Sequence, residues 1–384
     1  MTEWREFKIK DIADVVGGGT PSTAINEYWN GDIPWLTPKD LTGYIRNFIS
    51  HGERFITKKG LENSSARLLP KGTVLLTSRA PIGYVAIAEN EICTNQGFKS
   101  LVPNPDKAHN LFLLYWIKSN VEYLQSIGTG TTFQEISGSV LKDVDIILPP
   151  LPEQKAIAEV LSSLDDKIDL LTRQNKTLED LAQAYFRKWF IEDASDKWEE
   201  KGLDEIADFL NGLPLQKYPY KTGNPLHVIK IKELNNGFTD SSDLCSADIP
   251  EQYIVHPGDV IFSWSGSLKV DIWKYGKGAL NQHLFKVTSC NYPKWFYYFW
   301  IKYHLPEFKM IAESKATTMG HIQRRDLSNA IVLVPENQEI NNMDNIMSPL
   351  IKKIEQNNAQ ILVLQKLRDT LLPKLISSEI RLKM

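Results

Sequence analysis

Three loops rich in hydrogen-bond donors occur twice along the chain, at matching places. The first set reads TSRAPIGY, NQG and GTGTTFQ, and the second reads SWSGSLKVD, NQH and SKATTMGHIQ. Hydroxyl, amide, guanidinium and ammonium groups are the side-chain groups that reach the base edges and phosphates of a nucleic acid. A single Thr or Ser more often stabilises a turn, but the recurrence of all three loops favours a binding surface.

The candidate contacts are the polar side chains of these loops, together with one residue upstream of each set. They are Thr20, Ser78, Arg79, Gln96, Thr129, Thr131, Thr132, Gln134, Lys217, Ser265, Ser267, Lys269, Gln282, His283, Lys315, Thr317, Thr318 and His321. The two sets differ in chemistry, since the first copy has Arg79 where the second has Ser265. We therefore expect the two copies to read different sequences.

A catalytic site is not visible in the sequence. The chain contains no H-E-x-x-H, C-x-x-C or G-x-S-x-G motif, and no Asp-Pro-Pro-aromatic run of the kind that adenine methyltransferases use. The glycine tract VVGGGTPST at 15–23 lacks the lysine of a phosphate loop, and we interpret it as a flexible turn after a first helix, with contact to the backbone of a ligand as the alternative. The sequence predicts a protein that is not an enzyme and that has no metal site or bound cofactor of its own.

Composition is that of a globular protein, with 42% hydrophobic and 24% charged residues in 384. The longest apolar runs, LFLLYWI and WFYYFWI, are too short to span a bilayer. Three cysteines without metal-ligand spacing suit a reducing cytoplasm. The net charge of −3 argues against a protein that binds nucleic acid alone, because such proteins usually carry a basic surface.

The elements that would position the loops also occur twice. WREFKIKDIADVV near the start resembles WEEKGLDEIADFL at 198–210. Several pairs of landmarks are separated by 186 positions: Gly72 and Gly258, Asn95 and Asn281, Thr131 and Thr317, and Pro149 and Pro335. Matches in the same order along the chain indicate a duplicated domain.

A long helix with a heptad pattern follows each copy of the domain. Apolar residues recur at alternating steps of four and three, which is the pattern of a coiled coil. The predicted seam consists of Ile157, Leu161, Leu164, Ile168, Leu171, Asn175, Leu178, Leu350, Ile354, Asn357, Ile361 and Leu364. The segment 151–195 is acidic and 337–384 is basic, which favours pairing of the two helices over packing of each on its own domain. Ser348-Pro349 predicts the start of a fresh helix, with 337–347 as a separate short helix or a kinked lead-in.

The predicted architecture is α+β. Two repeated α/β domains occupy 1–150 and 196–336, and long helices occupy 151–195 and 337–384. The helices are expected to form an antiparallel coiled coil, with the two copies related by a pseudo-two-fold axis.

The sequence resembles the DNA-specificity (S) subunit of type I restriction–modification systems over essentially the whole chain. The resemblance rests on LPPLPEQKAIAEVLSSLDDKIDLLTRQNKTLEDLAQAYFRKWF, on TSRAPIGYVAI with NQGFKSLV, on GTGTTFQEI and on the ending LLPKLISSEIRL. The second copy departs from the family's usual loop sequence, since it has SWSGSL where the first copy has TSRAPIG.

The resemblance implies a non-catalytic protein with two target-recognition domains, each of which reads half of a split double-stranded DNA site. It implies that the helices set the spacing and dock two methyltransferase (M) subunits, with restriction (R) subunits as further partners. S-adenosylmethionine and ATP would bind those partners, which would also share the phosphate contacts, so the chain itself need not be basic. The alternatives are a coiled-coil scaffold that does not bind DNA, and a solitary DNA methyltransferase or nuclease.

Overall fold

The computed structural model describes residues 3–79, 81–130, 134–314 and 320–382. The chain forms two compact units. Unit 1 consists of residues 1–170 and 363–384, and unit 2 consists of residues 171–362. Each unit therefore contains one copy of the duplicated domain and a part of each long helix.

The first copy is built from short strands and helices around a mixed sheet. Its elements are β1 (Arg5–Lys8), α1 (Ile9–Ile12), β2 (Ala13–Gly17), β3 (Trp29–Leu36), β4 (Phe48–Ile49), β5 (Arg54–Ile56), α2 (Lys58–Glu62), β6 (Val74–Ser78), β7 (Ile82–Ala88), β8 (Cys93–Thr94), β9 (Lys99–Pro103), α3 (Asn110–Ser119), α4 (Val121–Ser126), α5 (Gly138–Lys142) and β10 (Asp145–Leu148). The sheets have the strand orders β2-β9-β6-β7-β4, β5-β3-β8 and β1-β10. The first long helix, α6, spans Leu151–Arg187.

The second copy repeats this topology. Its elements are β11 (Glu199–Gly202), α7 (Leu203–Ile206), β12 (Asp208–Asn211), β13 (Leu226–Ile229), α8 (Ile231–Asn236), β14 (Leu244–Cys245), β15 (Ile254–Val255), β16 (Val260–Ser263), β17 (Val270–Ile272), β18 (Gly278–Leu280), β19 (Leu284–Thr288), α9 (Lys294–Ser314), α10 (Arg324–Ser328) and β20 (Ile331–Val334). The order β12-β19-β16-β17 corresponds to β2-β9-β6-β7. The parallel pair β13-β18 corresponds to β3-β8. The second long helix, α11, spans Asn337–Ile376.

The two apolar runs of the sequence form core helices. In α3 the six residues Phe112 to Ile117 are all buried, and in α9 the seven residues Trp295 to Ile301 are buried as well. Each run packs against strands that are buried along their whole length, β6 in the first copy and β16 in the second. Within the described ranges, none of the helices is long and apolar enough to cross a membrane.

The same tryptophan–glutamate contact stands at the start of each long helix. Trp4 Nε1 donates to Glu153 Oε1 at 3.3 Å, and Trp198 Nε1 donates to Glu339 Oε2 at 2.9 Å. Strand β1 pairs antiparallel with β10, and β11 pairs in the same way with β20. The segment that ends each domain is therefore held beside the strand that begins it.

The two long helices run antiparallel in each unit. In unit 1, Arg368 Nη1 donates to Asp165 Oδ1 at 2.8 Å, while Ile157 and Leu375, farther out on each helix, share one core. In unit 2, Asn357 Nδ2 donates to Asn175 Oδ1 at 2.9 Å, and residues 182–190 share a core with residues 340–351. As the residue number increases along α6, the residue number of its contact in α11 decreases. The predicted α+β class with two repeated domains and two long helices is confirmed.

The prediction of a fresh helix at Ser348-Pro349 is wrong, because α11 is continuous from Asn337 to Ile376. A proline inside a helix removes one hydrogen bond and costs roughly 3 kcal/mol. Burial of Met347 and Ile351 on either side of Pro349 anchors the helix in the core of unit 2. Tertiary packing therefore offsets the local cost.

The interpretation of the glycine tract as a flexible turn after a helix is also wrong. Strand β2 ends at Gly17, and the next glycine packs against backbone: a Cβ on Gly18 would lie 2.0 Å from the carbonyl oxygen of Asn95. Gly212 occupies the equivalent place, where a Cβ would lie 2.2 Å from the carbonyl oxygen of Asn281. The glycine that both copies keep thus permits a close approach of two chain segments.

Candidate nucleic-acid interface

The donor-rich loops of the first copy are joined to one another by backbone hydrogen bonds. The amide of Ser78, at the end of β6, donates to Gly97 O at 2.8 Å, and the amide of Ile136 donates to Ser78 O at 2.9 Å. Thr129 and Glu135 exchange two further backbone bonds, of 2.9 and 3.0 Å. We call the described residues of these loops the first loop cluster: residues 18–20, 77–79, 95–99, 128–130 and 134–136.

The second copy joins its loops in the same way. The amide of Trp264 donates to His283 O at 3.4 Å, and the amide of Ile322 donates to Trp264 O at 3.0 Å. Gly266 also donates to Gly320 O at 2.9 Å. The second loop cluster comprises residues 211–213, 263–269, 281–283 and 320–322. The two bonds of Trp264 match those of Ser78 in the first cluster at a spacing of 186 positions.

Asn95 and Asn281 shape the same turn in both clusters. Asn95 Oδ1 accepts from the amide of Gly97 at 2.9 Å, and Asn281 Oδ1 accepts from the amide of His283 at 3.2 Å. An asparagine side chain that bonds the backbone two residues on forms an Asx turn. These residues therefore hold the turns, and the neighbouring Gln96 and Gln282 are the residues that the turns present.

The side chains of the first loop cluster form a charged group. Glu135 Oε1 lies 3.2 Å from Lys99 Nζ, and Glu135 Oε2 lies 3.7 Å from Arg79 Nη1. Thr20 Oγ1 also donates to Gln96 Oε1. Arg79 is more than a third exposed, so its guanidinium can reach a ligand while Glu135 restricts its direction.

The side chains around Ser265 in the second loop cluster are neutral or aromatic. Ser265 Oγ and His283 Nδ1 are joined by a hydrogen bond of 3.1 Å, and Gln282 Nε2 lies 3.4 Å from His283 Nε2. The Trp264 ring lies 6.0 Å from the His283 ring and 6.2 Å from the His321 ring. Hydrogen-bonding groups and flat rings can contact bases, but this cluster lacks an arginine in the place of Arg79.

The predicted contact residues fall into groups by exposure. Those exposed are Gln96, Thr129, Gln134, Lys217, Ser267 and His321, and those half-buried are Thr20, Arg79, Lys269, Gln282 and His283. Ser78 and Ser265 are buried. The remaining predictions, Thr131, Thr132, Lys315, Thr317 and Thr318, lie outside the described residues.

Some of the predicted residues serve the loop structure or stand apart from it. Ser78 Oγ donates to Gly97 O at 3.2 Å, so this hydroxyl holds two loops together. Lys269 Nζ lies 3.0 Å from Asp271 Oδ2 and donates to Leu234 O at 3.2 Å, so its charge is already paired. Lys217 ends a short 3₁₀ helix, Leu215–Lys217, beyond the second loop cluster.

Sequence reasoning did not select Glu135, Lys99 or Trp264. Glu135 is the residue that both Arg79 and Lys99 contact, and Trp264 Nε1 donates to Asn211 Oδ1 at 3.0 Å. The duplication carried a signal for Glu135, since the residue 186 positions later is His321, which the loop motifs did select.

The predicted coiled-coil seam is buried or half-buried at each of its twelve positions. In unit 2 the amides form a small network: Asn357 Nδ2 also donates to Gln174 Oε1 at 2.9 Å, and Asn175 Nδ2 donates to Asn358 Oδ1 at 2.8 Å. Asn357 is only 1% exposed. Its side chain therefore depends on partners in α6.

A buried carboxylate joins the first domain to both long helices in unit 1. Asp165 Oδ2 accepts from Tyr115 at 2.8 Å and lies 3.6 Å from Lys118 Nζ, while Oδ1 accepts from Arg368 at 2.8 Å. Burial would raise the pKa of Asp165, but the two cations and the tyrosine hydroxyl hold the pKa below its ordinary value. Burial lowers the pKa of Lys118 despite this carboxylate.

Unit 2 has a related but more exposed contact. Glu179 Oε1 accepts from Tyr298 at 3.1 Å and from Lys302. Burial would raise the pKa of Glu179, and Lys302 and Tyr298 together lower it below the ordinary value. Each domain is thus fixed to α6 by a tyrosine and a lysine from one of its core helices.

Comparison with known proteins agrees with this arrangement. The chain matches the family model of the type I restriction modification DNA specificity domain over residues 1–180 and again over 195–366. It is 40% identical to the type I restriction enzyme MjaIX specificity subunit of Methanocaldococcus jannaschii, over 99% of this chain and 94% of that protein. It is 23% identical to the MjaVIII specificity subunit of the same organism, over the same shares of the two chains.

A solved structure has the same fold. The crystal structure of the S subunit of a type I restriction–modification system from M. genitalium aligns with a TM-score of 0.61 at 19% identity, over 100% of this chain and 97% of that chain. The family match covers both copies of the duplicated domain, and one relative is similar over nearly its full length. The chain belongs to the family of type I restriction–modification DNA specificity subunits.

Proposed function

We propose that each loop cluster reads one half of a bipartite, asymmetric DNA target, and that the chain recognises DNA without catalysing a reaction. The observation that carries the proposal is the pair of loop clusters with matching backbone bonds and different side chains. Arg79 in the first cluster suits a guanine, because a guanidinium can donate to O6 and N7 together. His283, Ser265 and Gln282 in the second cluster offer a different set of donors and acceptors.

The partners follow from the names of the relatives, which are specificity subunits of restriction enzymes. In the proposed complex, double-stranded DNA and two methyltransferase subunits bind this chain, and restriction subunits join them in the cytoplasm. S-adenosylmethionine and ATP bind those partner subunits. A net charge of −3 is compatible with this division, because partners that contact phosphates supply much of the affinity.

The long helices are proposed to set the distance between the two half-sites and to dock the methyltransferase subunits. Helix α6 has 37 residues and α11 has 40. At about 1.5 Å per residue they are about 56 and 60 Å long. One turn of B-DNA is about 34–36 Å, so helices of this length suit half-sites that are a turn or more apart.

The test is to express the chain with its methyltransferase subunits and to map methylated bases across a genome. We expect one motif made of two different short sequences with a fixed gap. A palindromic motif would contradict the proposal, because the two loop clusters differ at the Arg79, Gly97 and Glu135 positions. Methylation without any gap would contradict the role of the helices.

A further inference from the structure

The seam of the coiled coil contains one layer of amides in unit 2. Asn357 donates to Asn175 at 2.9 Å. Because the helices are antiparallel, stepping four residues back along α6 and four forward along α11 brings Leu171 opposite Ile361. A polar layer therefore lies next to an apolar layer, and each residue faces one of its own kind.

The duplication makes each of these residues equivalent to one of the other kind. Positions 186 apart occupy equivalent places in the two helices, so Leu171 corresponds to Asn357 and Asn175 corresponds to Ile361. If α6 paired with α6 of a second chain in the same antiparallel register, leucine would face asparagine in two layers. If α11 paired with α11, asparagine would face isoleucine in two layers. Either pairing would leave buried amides without partners, which is costly.

A charged layer in unit 1 would also be mismatched if a helix paired with a second copy of itself. Arg368 stands in the seam and donates to Asp165 at 2.8 Å. The residue that corresponds to Arg368 in α6 is Ala182, and the residue that corresponds to Asp165 in α11 is Ile351. Pairing of α11 with a second α11 would place the guanidinium beside isoleucine, with Asp369 of its own helix in place of the carboxylate from α6. Removing one partner of a buried ion pair destabilises a structure strongly.

We propose that these layers make the coiled coil selective for the helix of the other half: α6 accepts α11 and rejects a second α6, and α11 rejects a second α11. Selection has a physical purpose here, because duplication gave both helices the same apolar seam, and that seam alone would permit self-pairing. The opposite net charges of the two segments act in the same direction, although exposed charges contribute little. The partner that fits each seam is thus the opposite half of a chain of this kind.

The test replaces each selective residue by its equivalent in the other helix. The levelled variant carries Asn175→Ile, Asn357→Leu and Arg368→Ala, so the amide layers are apolar in every pairing and Asp165 faces no arginine in any of them. A matched control carries Lys176→Ile, Gln360→Leu and Lys366→Ala at exposed positions outside the seam. The control adds the same kinds of apolar side chain without changing a layer.

Each full-length protein receives a protease site between Ala194 and Ser195, in the segment between α6 and β11, and is cut after folding. Light and isotopically heavy samples are mixed, and urea is raised until fragments exchange between molecules. Native mass spectrometry then counts pairs of unlike fragments and pairs of like fragments. We expect the unaltered protein and the control to give almost only unlike pairs, and the levelled variant to give about tenfold more like pairs.

Like pairs at the statistical share in the unaltered protein would overturn the proposal. So would a folded levelled variant whose like pairs stay as rare as those of the control. If the levelled variant does not fold, the double variant Asn175→Ile/Asn357→Leu takes its place. It retains the Arg368–Asp165 ion pair and should give a smaller increase in like pairs, and no increase would count against the proposal.

Discussion

The first and second loop clusters share a backbone and differ in chemistry. In both, the strand that ends at the cluster bonds to the turn of Asn95 or Asn281 and to the segment near Glu135 or His321. The first cluster places two cations around a carboxylate, whereas the second places a serine and a tryptophan around a histidine. Because backbone bonds hold the frame, side chains at its surface can change without loss of the fold.

The copies also differ in how strongly they are fixed to α6, and this difference should give the largest effect. Asp165→Asn removes the charge of a carboxylate that is 7% exposed and pairs with Lys118 and Arg368. We expect a loss of roughly 3–5 kcal/mol in the free energy of unfolding. Glu179→Gln is the matched variant in unit 2, where the carboxylate is 41% exposed, so the loss should be about 1 kcal/mol or less.

The pH dependence of that difference has a definite sign. The pKa of Asp165 is lowered in the folded protein, so its contribution is complete above the ordinary pKa of about 4 and disappears as the pH falls through the folded value. Denaturant unfolding of the unaltered protein and of Asp165→Asn, between neutral and acidic pH, measures this contribution to stability. Curves that stay parallel down to strong acid would show that the ion pairs do not stabilise unit 1.

The next largest effect on stability is expected from substitutions of the two glycines at which chain segments approach closely in both copies. Gly18→Ala and Gly212→Ala each place a Cβ within 2.2 Å of a carbonyl oxygen. We expect each to lower the free energy of unfolding by about 1–3 kcal/mol, because the segments must move apart. Gly276→Ala is the control, since a Cβ there meets no atom within 4 Å. Thermal unfolding measures the three losses of stability. A loss for Gly276→Ala as large as those for Gly18→Ala and Gly212→Ala would contradict the importance of this close approach.

The smallest effect on folding, but the sharpest on recognition, is expected from Arg79→Ala. It should remove about 1–3 kcal/mol of discrimination at one half-site and leave the other half-site unchanged. Binding to DNA that carries single-base changes in either half, measured with the methyltransferase subunits present, gives the comparison. Arg5→Ala removes the same charge outside the first loop cluster. Equal losses at both half-sites would mean that Arg79 contacts phosphate or supports the fold.

Much of the fold could be predicted from the duplication. Repeated landmarks such as Asn95 and Asn281 mark local turns, and a heptad pattern follows from the geometry of one helix. The continuation of α11 through Pro349 could not be predicted, because the residues that offset its cost are anchored by partners distant in sequence. The tight packing of Gly18 depends in the same way on a segment about 77 positions away in the printed sequence.

The candidate site was predictable in its location more than in its roles. Loop motifs found Arg79 and His283, but only the fold shows that Glu135 contacts Arg79 and that Ser78 is buried. Which polar residue faces a ligand and which one ties loops together depends on a few ångströms of backbone placement. Residue type alone does not carry that information.

The pairing of β1 with β10 and of β11 with β20 has a consequence for how such chains diversify. The chain enters and leaves each domain at neighbouring points, because its first and last strands are paired. The partners Arg5 with Leu148 and Glu199 with Val334 show this. A stretch of gene that encodes everything between two such partners can be exchanged for another of different length, while both junctions keep their positions. The long helix that follows each domain would then start from the same strand pair, whatever DNA sequence the new domain reads.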